Sequence, residues 1–121
     1  MRKQQIQTYN DGLLTVYRTI NAAPPGETPV ERLEKKYVLR YEERTIGVHR
    51  AYLAMQAEDR LDLLLRVPYR KDVAAQDVVI PTLDGHQYRI KMVQKPKDIT
   101  PPSMDLSLER LTEDYDLEAM P

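Results

Sequence analysis

The chain has 121 residues, the length of one domain, and its 41% hydrophobic and 31% charged residues are typical of a globular protein. It contains no cysteine, which excludes disulfide bonds, zinc ribbons and thiol catalysis. The net charge of −1 is unevenly distributed: six carboxylates and one arginine lie from Asp105 onward, and the residues before Asp105 carry 17 basic and 13 acidic side chains, a net charge of +4. That positive charge is too small to indicate nucleic-acid binding by itself.

The N-terminal segment begins with Arg2 and Lys3, but no apolar stretch follows them, so we expect no signal peptide. No run approaches the roughly 18 apolar residues that a membrane span needs, so we expect no membrane partner. The absence of cysteine is compatible with assembly in a reducing cytoplasm.

The first predicted elements are two strands on either side of a proline-rich loop. Residues 22–29 hold three prolines and a glycine, which remove hydrogen-bond donors and favour a loop. Apolar residues that recur at every second position predict the strands: Leu14, Val16 and Ile20 before the loop, and Tyr37, Leu39 and Tyr41 after it.

The next predicted element is a short helix. Val48, Tyr52 and Met55 recur at the i, i+4 and i+7 spacing of one helix face, which predicts a helix over residues 48–56. Between strands of a small barrel, we expect such a helix to plug one mouth.

Further strands follow, with apolar and polar residues alternating in residues 61–67, 88–92 and 106–109. Asp84-Gly85 predicts a type I′ turn that pairs residues 78–80 with residues 88–90. We expect one barrel interior to bury six of the alternating side chains: Leu63, Leu65, Tyr88, Ile90, Leu106 and Leu108.

Prolines separate these segments at intervals of about ten to fifteen residues, a pattern typical of all-β sandwiches and barrels. The sequence therefore predicts a small β-barrel of about six mostly antiparallel strands with one inserted helix. We interpret residues 1–121 as a single domain with an acidic C-terminal tail from about residue 112.

No pattern of catalytic or metal-binding residues emerges. His49 and His86 belong to no spaced ligand motif, and the four glycines form no phosphate-binding loop. The adjacent carboxylate pairs Glu42-Glu43 and Glu58-Asp59 would point to opposite faces of a strand, which is unsuitable for an acid/base dyad. We expect no enzymatic activity, no metal and no cofactor.

Five segments, in their order and spacing, resemble those of a known protein family. They are the opening strand 11–17, the Arg-Thr-Ile-Gly-Val segment within 41–57, the strand 61–68, the Asp-Gly hairpin 84–90 and the closing strand 101–110. In this order they resemble the head–tail joining family of tailed bacteriophages, also called head-closure or stopper proteins, especially the version common in phages and prophages of Gram-positive bacteria.

The resemblance implies a small β-barrel with a short helix that assembles as a ring in the virion neck, after synthesis in the host cytoplasm. Such a ring lies below the portal–adaptor complex, closes the DNA-filled head and connects it to tail-terminator or tail-tube proteins. The implied partners are further copies of the chain, these neck proteins and packaged double-stranded DNA, contacted without sequence specificity. The family has an assembly role and no catalytic residues to carry over.

Two other functions stay open. A tail-completion or tail-terminator protein of the same neck region would also form a ring, but it would contact the tail tube. An OB-like barrel that binds single-stranded nucleic acid would need aromatic and basic residues interleaved on one face. Tyr37, Arg40 and Tyr41 hint at that pattern, but the alternation turns both tyrosines inward and Arg40 outward.

A ring subunit must offer strand edges and loops for a neighbouring copy to cover. The loop 21–34 and the connection 68–77 are long for so small a barrel, which is typical of functional segments. Tyr69, Arg70 and Lys71 lie together at a strand end, and aromatic and arginine side chains are enriched at interfaces. We predict that these three residues contact a neighbouring subunit or face the DNA channel.

Overall fold

A computed structural model describes residues 5–21, 23–57 and 60–117 of the chain. These residues form eight strands and one helix, in the order β1 (Gln5–Ile6), β2 (Gly12–Asn21), β3 (Glu31–Arg44), α1 (Val48–Gln56), β4 (Leu63–Pro68), β5 (Val78–Pro81), β6 (Tyr88–Gln94), β7 (Ile99–Thr100) and β8 (Ser103–Arg110).

Six strands form a closed barrel in the order β2-β3-β4-β8-β6-β5, with β5 pairing back onto β2. Every pairing in the barrel is antiparallel, which confirms the predicted six-stranded all-β fold. The short strands β1 and β7 pair in parallel as a separate ribbon. Closure gives each barrel strand two neighbours, but some of the pairings are short: β5 pairs with β2 only over residues 14–17, and β4 pairs with β3 only over residues 42–44. The other parts of β2 and β3 therefore keep one strand edge without a partner strand among the described residues.

The barrel interior is a single apolar core that includes side chains from all six strands. Five of the six predicted interior residues are buried there: Leu65, Tyr88, Ile90, Leu106 and Leu108. Leu63 is half-buried and packs against the same core. The inward direction of Leu39 and Tyr41 is also confirmed.

A β-bulge changes the register of β6 against β8 between Ile90 and Met92. The extra residue reverses the alternation, so that Val93 packs against the core while Met92 lines a cleft beside α1. Alternation over residues 88–92 would turn Met92 inward with Tyr88 and Ile90, and the bulge shows that this extension of the pattern is wrong.

The predicted pairing of β5 with β6 is confirmed, with Val78 opposite Arg89 and Val79 opposite Tyr88. The type I′ turn is wrong, because only Gly85 of the central pair has a positive φ, at 68°. The backbone N–H of Gly85 instead donates to the carbonyl oxygen of Pro81 four residues earlier, at 2.9 Å. The connection between the strands is therefore six residues long.

The β2–β3 hairpin extends past the end of β5. Tyr17 is the last β2 residue that pairs with β5, whereas β2 and β3 continue together to Asn21 and Glu31. The connection is thus 22–30, shorter than the predicted loop 21–34, because residues 31–34 continue the strand ladder.

A second, smaller apolar cluster supports this extension. Leu33, Val78 and Ile80 are its buried members, and Leu111 and Tyr115 from the segment after β8 pack against it. The segment 111–117 therefore crosses the barrel exterior instead of projecting into solvent as a simple acidic tail.

The helix occupies the predicted residues 48–56, but it does not plug a barrel mouth. It lies against the outer surface, where Nη1 of Arg50 donates to Oγ of Ser107 at 2.8 Å. Ser107 alternates with the core residues Leu106 and Leu108 and so points outward from β8. None of the helical residues is buried.

Candidate contact surfaces

The three residues predicted to make contacts lie at one end of the barrel, just after β4. Tyr69, Arg70 and Lys71 are all exposed in the connection between β4 and β5. The backbone N–H of Tyr69 donates to the carbonyl oxygen of Pro102 at 3.0 Å, which fixes the start of this connection beside β8.

Two cations lie over tyrosine rings at this end. Nζ of Lys95 is 4.5 Å from the centre of the Tyr69 ring, and Cζ of Arg70 is 5.8 Å from the centre of the Tyr37 ring. Both distances are within the range of cation–π attraction. We call Tyr37, Tyr69, Arg70, Lys71 and Lys95 the cationic end; sequence reasoning missed Tyr37 and Lys95 as members, because only folding brings them beside the 68–77 connection.

An ionised carboxylate holds this arrangement in place. The Tyr37 hydroxyl donates to Oδ1 of Asp72 at 2.6 Å, and Nζ of Lys36 donates to Oδ2 of Asp77 at 2.8 Å. The hydrogen bond from Tyr37 lowers the pKa of Asp72, and the same bond raises the pKa of Tyr37. Nζ of Lys36 also donates to the carbonyl oxygen of Asp72 at 2.5 Å, so three hydrogen bonds attach the 68–77 connection to β3.

A buried ion pair lies on the outer face of β4 and β8. Nε and Nη2 of Arg66 donate to the two carboxylate oxygens of Asp105, at 2.7 and 3.1 Å. Nη1 of Arg66 donates to Oε1 of Gln7 at 3.0 Å, and Gln7 in turn donates to Glu42. The hydrogen bond to Asp105 raises the pKa of Arg66 further. This network attaches Gln7, in the segment between β1 and β2, to the barrel. The polar groups of the network already have hydrogen-bond partners within it.

Two clefts flank α1, with volumes of about 210 and 320 Å³. Their linings include five cationic side chains and one carboxylate: Arg44, Arg50, Arg60, Arg66 and Lys91, with Asp105. Four of these cations form ion pairs, whereas Arg50 lines both clefts and donates to the uncharged hydroxyl of Ser107.

The solvent side of α1 is apolar. Val48 is 89% exposed, Tyr52 57%, Leu53 44% and Met55 75%. These include the three residues whose spacing predicted the helix, so the stripe that identifies α1 in the sequence faces away from the barrel. We call Val48, Tyr52, Leu53 and Met55 the helix surface.

The remaining candidates are dispersed. His49 lines the larger cleft, His86 lies in the turn before β6, and Glu42 and Glu43 occupy successive positions on β3. Glu58 and Asp59 lie outside the described residues. Within residues 5–21, 23–57 and 60–117, no group of three or more histidines and carboxylates is arranged to hold a metal ion. Over the same ranges, no helix is long and apolar enough to cross a membrane.

Comparisons with known proteins show a similarity of fold. No protein-family model matches the chain, and no curated protein matches it. Among solved structures, the fold is similar to the solution structure of protein SF1141 from Shigella flexneri 2a, with a TM-score of 0.59 and 15% sequence identity. The likeness covers 94% of this chain and 100% of the Shigella chain, so it extends over the whole barrel.

Proposed function

We propose that the protein is a structural subunit of the neck of a tailed bacteriophage. In this role it forms a ring beneath the portal–adaptor complex, closes the DNA-filled head and connects it to the tail. The order of the five sequence segments supports the proposal, and so does a small barrel with a helix at residues 48–56, the architecture that the resemblance implies.

The observation that carries the proposal is the exposed apolar face of α1. A nine-residue helix is too short to be stable in water by itself, and this one buries no residue against its own barrel. Contiguous exposed apolar residues on a globular protein commonly mark an interaction site. A subunit that is completed by neighbouring proteins accounts for such a helix, whereas a monomer that acts alone leaves it unexplained.

The cationic end supports a position next to DNA. Arg70 and Lys71 are exposed there beside Lys95, and they could contact phosphates without reading the base sequence. The proposed role is mechanical closure of a channel, so we also propose that the protein has no catalytic activity and needs no cofactor.

Imaging of purified particles tests this function. Cryo-electron microscopy of virions purified from cells that produce the chain should show a ring of its barrels between the portal–adaptor complex and the tail. A ring on the tail tube alone would instead support the tail-completion role, and particles without the chain would contradict both.

A second function, binding of single-stranded nucleic acid, is favoured by one observation at the cationic end. Tyr37 and Tyr69 each lie beside a cation, as in proteins that stack bases on aromatic rings. Tyr41, by contrast, is buried in the core and unavailable for stacking.

DNA binding at several salt concentrations separates the two functions. For the neck subunit we expect weak duplex binding that Arg70→Ala with Lys71→Ala reduces, with a shallower salt dependence because phosphate contacts are lost. Val38→Ala, at an exposed position on β3, is the control and should leave binding unchanged. A marked preference for single strands that Tyr69→Ala abolishes would favour the second function.

A further inference from the structure

The larger of the two clefts beside α1, with a volume of about 320 Å³, is lined mainly by hydrogen-bond donors. Its lining includes three arginines: Arg44 at the end of β3, Arg50 on α1 and Arg66 on β4. Asp105 also lines it, but both of its carboxylate oxygens accept hydrogen bonds from Arg66. Thr45 adds a hydroxyl group. The cleft therefore has donors to offer a ligand, and its one carboxylate is already occupied.

Arg50 is the one arginine of this cleft without a carboxylate partner among the described residues. Arg66 is paired with Asp105, and Nη1 of Arg44 lies 3.3 Å from Oε1 of Glu42. None of the ion pairs within the described part of the chain includes Arg50. Even when Glu42 is counted with the lining, the cleft keeps one positive charge that no described anion balances.

The fold holds Arg50 in the cleft and partly out of water. Arg50 lies on the side of α1 that faces the barrel, where its Nη1 donates to Oγ of the buried Ser107 at 2.8 Å. The side chain is partly buried, and a partly buried charge without a counter-ion is unfavourable. A guanidinium group has five N–H donors, and the Ser107 hydroxyl accepts one of them. An anion in the cleft would balance the charge and accept from the remaining donors.

We propose that this cleft binds a phosphate group, with Arg50 and Arg44 as its main ligands. The planar fork of a guanidinium group fits two phosphate oxygens at once. A phosphate group has oxygens on several sides, so it accepts from Arg44 and Arg50 on different elements, whereas the two oxygens of a carboxylate lie in one plane. This inference goes beyond the proposed neck function and does not depend on it.

Two sources supply the same phosphate chemistry: inorganic phosphate and the phosphodiester backbone of DNA. The cleft and the cationic end lie along the same strand, because Arg66 precedes Tyr69 by three residues, a distance of about 10 Å. A duplex bound at the cationic end therefore has phosphates within reach of the cleft. The experiment has one arm for each source.

Titration of the full chain with inorganic phosphate at constant ionic strength tests the site. Chemical shifts of the amides of residues 44–50 and of the Arg50 side-chain Nε–H should change and saturate. Acetate at the same ionic strength should bind at least about tenfold more weakly, because it lacks the additional oxygens. Shifts that do not saturate with phosphate, or equal affinity for acetate, would overturn the inference.

Three substitutions and a matched control identify the ligands. Arg50→Gln and, separately, Arg44→Gln should each raise the dissociation constant for phosphate by at least about tenfold. Arg50→Lys keeps the charge without the fork, so its loss should be smaller than that of Arg50→Gln. Arg40→Gln removes the same charge from an exposed position of β3 outside the cleft and should leave the affinity unchanged.

Circular dichroism and thermal unfolding first establish that each variant is folded. Arg44→Gln keeps the hydrogen bond from Arg50 to Ser107, so it serves as the test if Arg50→Gln does not fold. Unchanged affinity in the cleft variants, or an equal loss in Arg40→Gln, would contradict the assignment of the site.

A short DNA duplex distinguishes the two sources. If the DNA backbone is the ligand, the duplex should shift residues 44–50 together with residues 69–71, and inorganic phosphate should reverse the shifts at 44–50. Duplex shifts confined to residues 69–71 would assign the cleft to free phosphate. If particle imaging finds no neck ring but phosphate saturates the cleft, the proposed function fails and the phosphate site remains. A ring in the particle with no saturable phosphate binding would have the opposite meaning.

Discussion

At the residue scale, the barrel depends on the apolar side chains that pack in its interior. Ile90 is fully buried among residues of the core, so truncation to alanine should create a cavity. We expect Ile90→Ala to lower the free energy of unfolding by about 2–5 kcal/mol in urea denaturation. Ile6→Ala, at a position that is 82% exposed, should have little effect. A near-zero loss for Ile90→Ala would contradict the register of β6.

Substitution of Gly85 tests how backbone conformation affects stability, separately from the effect of side-chain packing. A Cβ added at Gly85 or Gly47 would meet no atom within 4 Å, but φ is 68° at Gly85 and −73° at Gly47. Gly85→Val should therefore destabilise the protein more than Gly47→Val, by roughly 1–2 kcal/mol, because the left-handed region is unfavourable for a residue with a Cβ. Equal losses in thermal unfolding would show that the turn adapts to the new side chain.

Tyr88 should make the stability depend on pH in alkaline solution. Burial, followed by the hydrogen bond from its hydroxyl to Asp84, raises the pKa of Tyr88 to about 12. The folded protein therefore keeps this proton when the unfolded chain, with a tyrosine pKa near 10, has lost it. The contribution to stability is present below pH 10 and is lost between about pH 10 and 12. In urea denaturation between pH 10 and 12, the free energy of unfolding should fall less with pH for Tyr88→Phe than for the wild-type protein. An equal fall in both proteins would contradict the raised pKa.

The limits of sequence reasoning are visible at single positions of β6. Alternation correctly predicts that Tyr88 and Ile90 are buried, because period-two patterning follows directly from strand geometry. It fails at Met92, because a bulge adds one residue without altering the local composition. At the cationic end, Arg70 and Lys71 were recognisable from their position after a strand, whereas Lys95 joins them only through the tertiary fold.

At the scale of elements, the helix illustrates a different limit. The spacing of Val48, Tyr52 and Met55 identifies its bounds correctly, since helical periodicity is a local property. The same spacing suggested a face buried inside the barrel, whereas these residues are exposed. Periodicity shows which residues share a face of the helix. It does not show whether that face packs against the same chain or against another molecule.

At least one of two connecting segments is expected to become ordered against a neighbouring protein on assembly. We predict that amide hydrogen exchange slows in at least one of the ranges 21–34 and 68–77 when the protein enters the particle. In the free protein, Glu31 to Glu34 should already be protected by pairing with β2, so new protection within the first range should be concentrated at 22–30. Core strand β8 is the internal reference. Unchanged exchange in both ranges would mean that these segments do not form the contact surface.

At the scale of the whole molecule, strand order could be predicted only in part. The β5–β6 neighbours follow from a short connection, and such connections favour antiparallel pairing. The position of β8 between β4 and β6 depends on contacts between residues far apart in sequence, for which no local pattern exists. The attachment of residues 111–117 to the barrel was also not predictable from a local pattern. The acidic composition suggested a solvated tail, whereas Leu111 and Tyr115 pack on the barrel and determine the path of the segment.

The position of β8 also has a consequence for biosynthesis. Both neighbours of β8 precede it in the sequence, so a growing polypeptide leaves one edge of β4 and one edge of β6 unpaired until residues 103–110 have emerged from the ribosome. Unpaired edges can pair with other chains, and closure that depends on distant segments is slow, on a scale of about milliseconds to seconds. The time taken to translate β8 and insert it, more than the stability of the finished barrel, then determines how long a nascent chain is vulnerable to aggregation.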